Sequence, residues 1–236
     1  MNRRTFLASG GVAMAGGIAG CLGESDQSAA NEFDYETDDF SGVAVPLAPI
    51  DDVYEWFQND EARFVDARGR GQYDSSRIEG AVFSPAEDGL EENDPVEEWD
   101  TDTRIVTYCN CPHHLSGLRA SSLISDGYTH SYAIDEGFGE WYDRDYPMEG
   151  TDVLADMPAY EVRGQSSSTY AGEYVWVSDT AADQVEIAPI QSDGSYEMTL
   201  HFTDLSSDSV LELEAPDYAF EATLAELTSG VVTGQL

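Results

Sequence analysis

The sequence predicts an α/β domain, a parallel sheet flanked by helices, followed by a small all-β domain of Ig-like sandwich type. Three observations carry that expectation. Over residues 43–150, short β-rich runs alternate with amphipathic stretches, the pattern of a parallel sheet covered on both faces. Near Gly150 the character changes, and residues 151–236 hold a single basic residue, Arg163, with several β-rich runs. The chain has 236 residues and is 41% hydrophobic, enough apolar material for one large or two small cores, which excludes a mainly disordered chain.

Each element follows in order. Residues 22–42 are rich in Gly, Ser, Asp and Glu without apolar periodicity and are expected to form a flexible linker. Val43–Val45 and Arg63–Ala67 read as strands. Between them Val53, Trp56 and Phe57 fall on one helical face. The acid-rich segment Glu87–Asp100 reads as a solvated loop or short helix. Arg104–Tyr108 (RIVTY) is a β-rich run, Leu115–Ser125 a helix, Tyr132–Ile134 a strand and Phe138–Tyr142 a short helix. Beyond Gly150, strands are expected at Tyr174–Val177, Tyr196–Phe202, Val210–Glu214 and Phe220–Leu224, with Asp193-Gly194 as a hairpin signal. Short strands of this kind suit a sandwich. His201, mid-strand, reads as a structural imidazole.

The formal net charge is −37, and every one of the ten basic residues is Arg. Self-repulsion on that scale destabilises a compact state in dilute buffer. At ~1 M salt the Debye length is roughly 3 Å and most of the repulsion is screened. The composition points to a halophile of haloarchaeal type. It argues against nucleic acid as a partner, because phosphate binding needs a basic face.

Residues 1–20 read as an address. Asn2-Arg3-Arg4-Thr5-Phe6-Leu7 resembles a twin-arginine export motif. The Gly/Ala-rich stretch that follows is too short and too glycine-rich for a membrane span. It ends in Ile18-Ala19-Gly20-Cys21, which resembles a lipobox, with Cys21 the lipidated residue. Cleavage there removes two Arg and no acids, taking the charge from −37 to −39. The expected organisation is a signal peptide over 1–20, a lipid-anchored linker over 21–42, an α/β domain over 43–150 and the β domain over 151–236. The expected location is the outer face of the cytoplasmic membrane, held there by the lipid on Cys21.

Chemistry concentrates in the stretch Tyr108-Cys109-Asn110-Cys111-Pro112-His113-His114. With Cys21 lipidated, Cys109 and Cys111 are the remaining thiols. Two cysteines make no disulfide framework, and a bridge across one intervening residue strains disulfide geometry. The strand RIVTY delivers Cys109 to the carboxyl edge of the sheet, where ligands sit in parallel α/β folds. A loop turning into a helix near Leu115 or Ser116 aims backbone N–H groups at its centre. Such donors favour a thiolate over a thiol.

Residues 43–150 resemble a rhodanese domain. The family's Asp-x-Arg strand motif stands as Asp66-Ala67-Arg68. Its downstream Tyr…Gly-His-Ile-Pro-Gly-Ala stands as Tyr73 and Arg77-Ile78-Glu79-Gly80-Ala81, with Arg77 and Glu79 replacing the usual His and Pro. Ser84-Pro85, Tyr108-Cys109, Gly127-Tyr128, Gly137-Phe138-Gly139-x-Trp141 and Tyr146-Pro147 follow in the family's order. The resemblance implies a rhodanese-like fold and a sulfurtransferase. In the implied reaction Cys109 would take a sulfane sulfur from a small anionic donor such as thiosulfate, become a persulfide and hand the sulfur to a thiol or cyanide. It implies no metal or organic cofactor, and ping-pong kinetics.

The loop departs from the common family form and resembles a Cys-x-Cys-Pro subgroup. Asn110, Cys111, His113, His114, Leu115 and Ser116 are candidate substrate-binding residues around Cys109. Arg68 and Arg119 are candidates for an anionic donor, with a structural salt bridge weighed for Arg68. Seven of the eight arginines after residue 20 lie between Arg63 and Arg144, which suggests local positive potential. Cys111 has three readings: a resolving thiol, a packing thiol, or a soft-metal ligand with Cys109, His113 and His114. The spacing fits no usual zinc pattern. A binding or sensing module is the alternative to an enzyme, and the β domain, whose protein partner the sequence does not identify, favours it. A phosphatase of related fold needs Cys-x₅-Arg to bind phosphate. Position 115 is Leu, which excludes it.

Overall fold

The computed structural model describes residues 28–153 and 157–234. The export motif, the lipobox and Cys21 lie outside the described residues, as does the linker before residue 28. Among the described residues no helix is long and apolar enough to cross a membrane.

In chain order the first region contains β1 (Thr37–Phe40), β2 (Val43–Ala48), α1 (Ile50–Gln58), β3 (Arg63–Asp66), α2 (Arg70–Ser75), β4 (Arg77–Ile78), β5 (Val82–Phe83), β6 (Ile105–Tyr108), α3 (His114–Ser125), β7 (Ser131–Ile134), α4 (Gly137–Asp143) and β8 (Met148–Glu149). Six strands form one sheet in the order β1-β2-β7-β6-β3-β5. The pairs β2–β7, β7–β6, β6–β3 and β3–β5 are parallel. The β1–β2 hairpin is antiparallel, so the sheet is mixed, mostly parallel. Its central strands β6 and β7 are buried at every position, because helices cover both faces. One face packs Ile50, Val53 and Trp56 of α1 with Phe138 and Trp141 of α4. The other packs Leu115, Leu118 and Ile124 of α3 against Phe40, Val45 and Ala133.

The domain begins earlier than the sequence suggested. The expectation of a flexible linker reaching residue 42 is corrected by β1 and by the aromatic group Phe33, Tyr35, Trp56 and Tyr132. The physical reason is tertiary: Phe40 is buried against α3, where a Cβ on Gly117 would overlap its ring. A glycine inside a helix costs up to about 1 kcal/mol relative to Ala. Here its missing side chain makes room for Phe40.

The second region is all-β. It contains β9 (Tyr160–Gln165), β10 (Tyr174–Asp179), β11 (Gln184–Pro189), β12 (Ser195–Leu200), β13 (Val210–Ala215), β14 (Tyr218–Thr223), α5 (Leu224–Thr228) and β15 (Val231–Val232). One sheet runs β11-β10-β13-β14, the other β12-β9-β15. Val175, Val177, Leu211 and Leu213 of the first sheet share a core with Val162, Met198 and Leu200 of the second. The pairs are antiparallel except β15–β9. Asp193-Gly194 makes a tight turn but no hairpin, which corrects the sequence reading: β11 and β12 belong to different sheets. His201 is held by the Pro158 carbonyl at 2.9 Å, a structural role.

The two regions are not beads on a tether. Ile187 of β11 is fully buried in the same cluster as Leu115 and Leu118, with Tyr174, Trp176 and Val185 beside it. On α2, the Gly71 N–H donates to Asp183 O (2.8 Å), and Gln72 Oε1 accepts from Val185 N (3.0 Å). A Cβ on Gly69 or Gly71 would overlap the carbonyl oxygens of Asp183 and Ala182.

Candidate active site

Cys109 follows directly on β6, and α3 begins at His114. His113 occupies the left-handed region with φ 41°, and that kink turns the chain back over the sulfur. Two anchors fix the loop from behind. Phe138 N donates to Cys109 O (2.8 Å) and Gly139 N to Asn110 O (3.4 Å). Gly137, φ +76°, leaves no room for a Cβ beside Cys111 O. The loop carbonyls are thus tied to the start of α4, while the first amides of α3 turn inward.

Around the sulfur, the backbone N–H groups of Leu115 and Ser116 and the Ser116 hydroxyl favour the charged form of Cys109. Ser116 Oγ lies 3.4 Å from Cys109 Sγ, and the thiol donates to Cys111 O at 3.0 Å. The expected inward amides are present, but burial opposes the expected thiolate. Cys109 is fully buried, and burial together with the nearby Glu186 pushes its thiol up to about 12 from an ordinary 9.0. Desolvation outweighs the amides because a charge loses water on all sides while gaining few donors.

Cys111 is buried too and donates to Thr199 O of β12 at 3.3 Å. Burial and Glu186 also raise it well above an ordinary thiol. The groups that close over both sulfurs come from the second region. Glu186 of β11 is fully buried. Its Oε1 accepts from Ile187 N (3.1 Å), while its Oε2 has no hydrogen-bond partner among the described residues. Burial raises its carboxyl to about 7, moderated by Ile187 N–H, Cys111 and Arg68.

Other expected residues sit differently. Arg68 is buried and turned to structural partners through four side-chain hydrogen bonds, and the expectation that it binds donor is corrected. It donates to Asp66 through Nε and Nη2, to Asn110 Oδ1 (2.6 Å) and to Ser76 O (2.6 Å). Its guanidinium lies 4.3 Å from the Phe138 ring centroid. Asn110 is therefore a loop anchor, with its side chain turned to Arg68. Arg119 is likewise corrected: its guanidinium meets Ser84 and Asp94. The expected positive field is cancelled by pairing, with Arg70 on Asp74, Arg77 on Glu149, Arg104 on Glu32 and Arg144 on Asp51 and Glu140.

His113 faces Asp38 (3.8 Å) and Asp135 (3.7 Å), away from a shared site with the sulfurs. His114 packs against the Ile187 backbone, and burial lowers its pKa. Among the described residues no group of three or more His, Cys, Asp or Glu is arranged to hold a metal ion. The soft-metal reading of Cys109, Cys111, His113 and His114 does not fit this arrangement.

Residues 49–144 match the family model described as Rhodanese-like domain. That span contains β3, β6, the Cys109 loop and α3 in the order just described. Residues 49–144 are a rhodanese-like domain. Solved structures similar to the chain include the rhodanese-like domain of the Anabaena protein Alr3790, at 19% identity and TM-score 0.42, over 48% of this chain and 85% of that one. The Bacillus halodurans protein BH2092 is similar at 19% identity and TM-score 0.39, over 47% and 85%. Human single-domain sulfurtransferase TSTD1 is similar at 18% identity and TM-score 0.38, over 43% and 98%. No curated protein matches the chain. Within the rhodanese-like domain, the sequence located the loop and its amides. It missed Glu186, whose one local signal is a lone acid in the otherwise apolar run Val185–Ile190.

Proposed function

We propose that the chain is a sulfurtransferase that carries a sulfane sulfur as a persulfide on Cys109. One observation carries this reading: a cysteine at the end of a central strand, with the amides of Leu115 and Ser116 and the hydroxyl of Ser116 directed to its sulfur. The Cys109 thiolate attacks the outer sulfur of thiosulfate. The donor's S–S bond breaks, sulfite leaves with the electron pair, and Cys109 gains one sulfur. An acceptor thiolate or cyanide then attacks that outer sulfur and returns Cys109 as thiolate. Each half is a displacement with no net oxidation, so no redox cofactor is required. Because Cys109 is fully buried, a donor reaches it only when the cover over the loop opens. Together with the twin-arginine and lipobox resemblances, the reading places this chemistry on an exported protein anchored through Cys21.

The closure over Cys109 favours one second reading, a non-catalytic module that binds or senses sulfur species. Thiosulfate-to-cyanide transfer in molar salt separates the two. Wild type is expected to be active, Cys109→Ser inactive and Cys111→Ser partly active. Intact-mass analysis after thiosulfate is expected to show one added sulfur. Wild type that neither turns over nor gains sulfur sinks the enzymatic reading.

A further inference from the structure

Two buried thiols and one buried carboxylate meet where the second region covers the rhodanese-like loop. Cys111 and Glu186 come from different regions, yet each alters the ionisation of the other. The Cys111 thiol donates to the Thr199 carbonyl at 3.3 Å, a neutral thiol bond that leaves the carboxylate beside it unused. The neighbouring carboxylate has one oxygen engaged by Ile187 N and the other, Oε2, with no partner. An unpartnered carboxylate oxygen inside a protein is costly, and among the described residues Glu186 has no ion pair to offset it. Arg68, the nearby cation, has its donors on Asp66, Asn110 and Ser76. The groups facing Glu186 are Cys111, Cys109 and Arg68, with His114 beside the adjoining Ile187 backbone.

We infer that Glu186 is the base that takes the proton from Cys111, and that the Cys111 thiolate receives the sulfane sulfur from Cys109. This rests on the persulfide reading above. The thiol hydrogen swings from Thr199 O to the free carboxylate oxygen. The Cys111 thiolate attacks the outer sulfur of the protonated Cys109 persulfide. The new S–S bond forms on Cys111, and the old one breaks with its electron pair on Cys109 Sγ. Cys109 is left as a thiolate facing the Leu115 and Ser116 amides. The proton rests on Glu186, the sulfur moves as a unit, and nothing is oxidised or reduced. The second region is then part of the site, because it brings the base.

The test loads the full chain with thiosulfate in molar salt, quenches it with acid and locates the added sulfur by fragmentation between Cys109 and Cys111. In wild type the share on Cys111 is expected to rise with pH, with a midpoint near the Glu186 value of about 7. Glu186→Gln is expected to hold the sulfur on Cys109 at all pH values, a loss of at least tenfold in the Cys111 share. Glu186→Asp is expected to restore part of it, which a packing role alone would not do. The wild-type pH series keeps the test decisive if a variant fails to fold. Sulfur that loads on wild type but never reaches Cys111, or reaches it equally in Glu186→Gln, overturns this inference and leaves the persulfide reading standing. No sulfur on either cysteine overturns both.

Discussion

The contact between α2 and the β10–β11 turn can be broken by one methyl group. Gly71 lies in α2 with φ outside the left-handed region, so alanine suits its backbone. Gly→Ala inside a helix favours the helix by up to about 1 kcal/mol. Its Cβ, however, would overlap Ala182 O and lie 3.0 Å from the Ala182 carbonyl carbon. Both are backbone atoms, so the turn has to move. Gly71→Ala is therefore expected to loosen the second region while leaving α2 intact. The readout is alkylation of Cys109 by iodoacetamide in molar salt, followed by mass spectrometry. The thiolate is the reacting species, and Cys109 stands at about 12 against an ordinary 9.0. The rise from 9.0 to about 12 suppresses the thiolate about a thousandfold. Water admitted by the displaced turn lifts the penalty, so the rate is expected to rise by up to ~10³. Gly230→Ala, with nothing within 4 Å of its Cβ, is the control and should react like wild type. A folded Gly71→Ala that alkylates as slowly as wild type would refute the view that this contact protects Cys109.

Two further outcomes follow from charge. Glu186 is fully buried, and its folded-state value of about 7 lies above an ordinary 4.5. A raised value means that the stabilisation from holding the proton is complete below about 4.5 and is lost as pH rises through about 7. Over that window wild type is expected to lose about 3 kcal/mol at this site, and Glu186→Gln to lose little. Denaturant unfolding at pH 5 and pH 8 measures the difference, and equal slopes in the two proteins count against the buried carboxylate. A net charge of −37 makes stability depend on salt, because screening shortens the Debye length from about 10 Å at 0.1 M to about 3 Å at 1 M. Each kcal/mol of relieved repulsion should raise Tm by about 2–4 °C. A Tm that stays flat between 0.1 and 2 M salt contradicts the halophilic reading.

What the sequence revealed was whatever local pattern encodes. RIVTY became β6 because it is a short run of β-rich residues, and Leu115, Leu118 and Leu123 became α3 because they recur at helical spacing. The segment Arg70–Ser75, with a glycine and no apolar stripe, gave no helix signal. It forms because Gly71 and Gln72 dock on the β10–β11 turn and β11. Strand β11 was missed for a related reason. It is buried on both faces, Ile187 toward Leu115 and Ala188 toward the sandwich core, so it lacks the alternation that marks a half-exposed strand. The Asp193-Gly194 turn was legible from its chemistry, but not which sheet the next strand joins. At the site, inward amides follow from a strand running into a helix. The sign of the thiol shift does not, because burial depends on residues distant in the chain, Glu186 and Ile187 of β11.

The origin of each influence on Cys109 separates two states of the same loop. The donors that favour its thiolate, Leu115 N, Ser116 N and Ser116 Oγ, lie within seven residues of it and belong to the rhodanese-like domain. The carboxylate that disfavours it, Glu186, and part of the cover, Ile187, belong to the second region. Parting the two regions removes opposing influences and leaves the favourable ones in place. The closed arrangement therefore holds Cys109 as an inert thiol, and an opened one holds a better nucleophile behind the same amides. Because repulsion between two acidic regions weakens the contact at low salt, alkylation of Cys109 should accelerate on dilution from molar salt before the rhodanese-like core unfolds. Loss of far-ultraviolet circular dichroism in step with that acceleration would show instead that cover and core fail together.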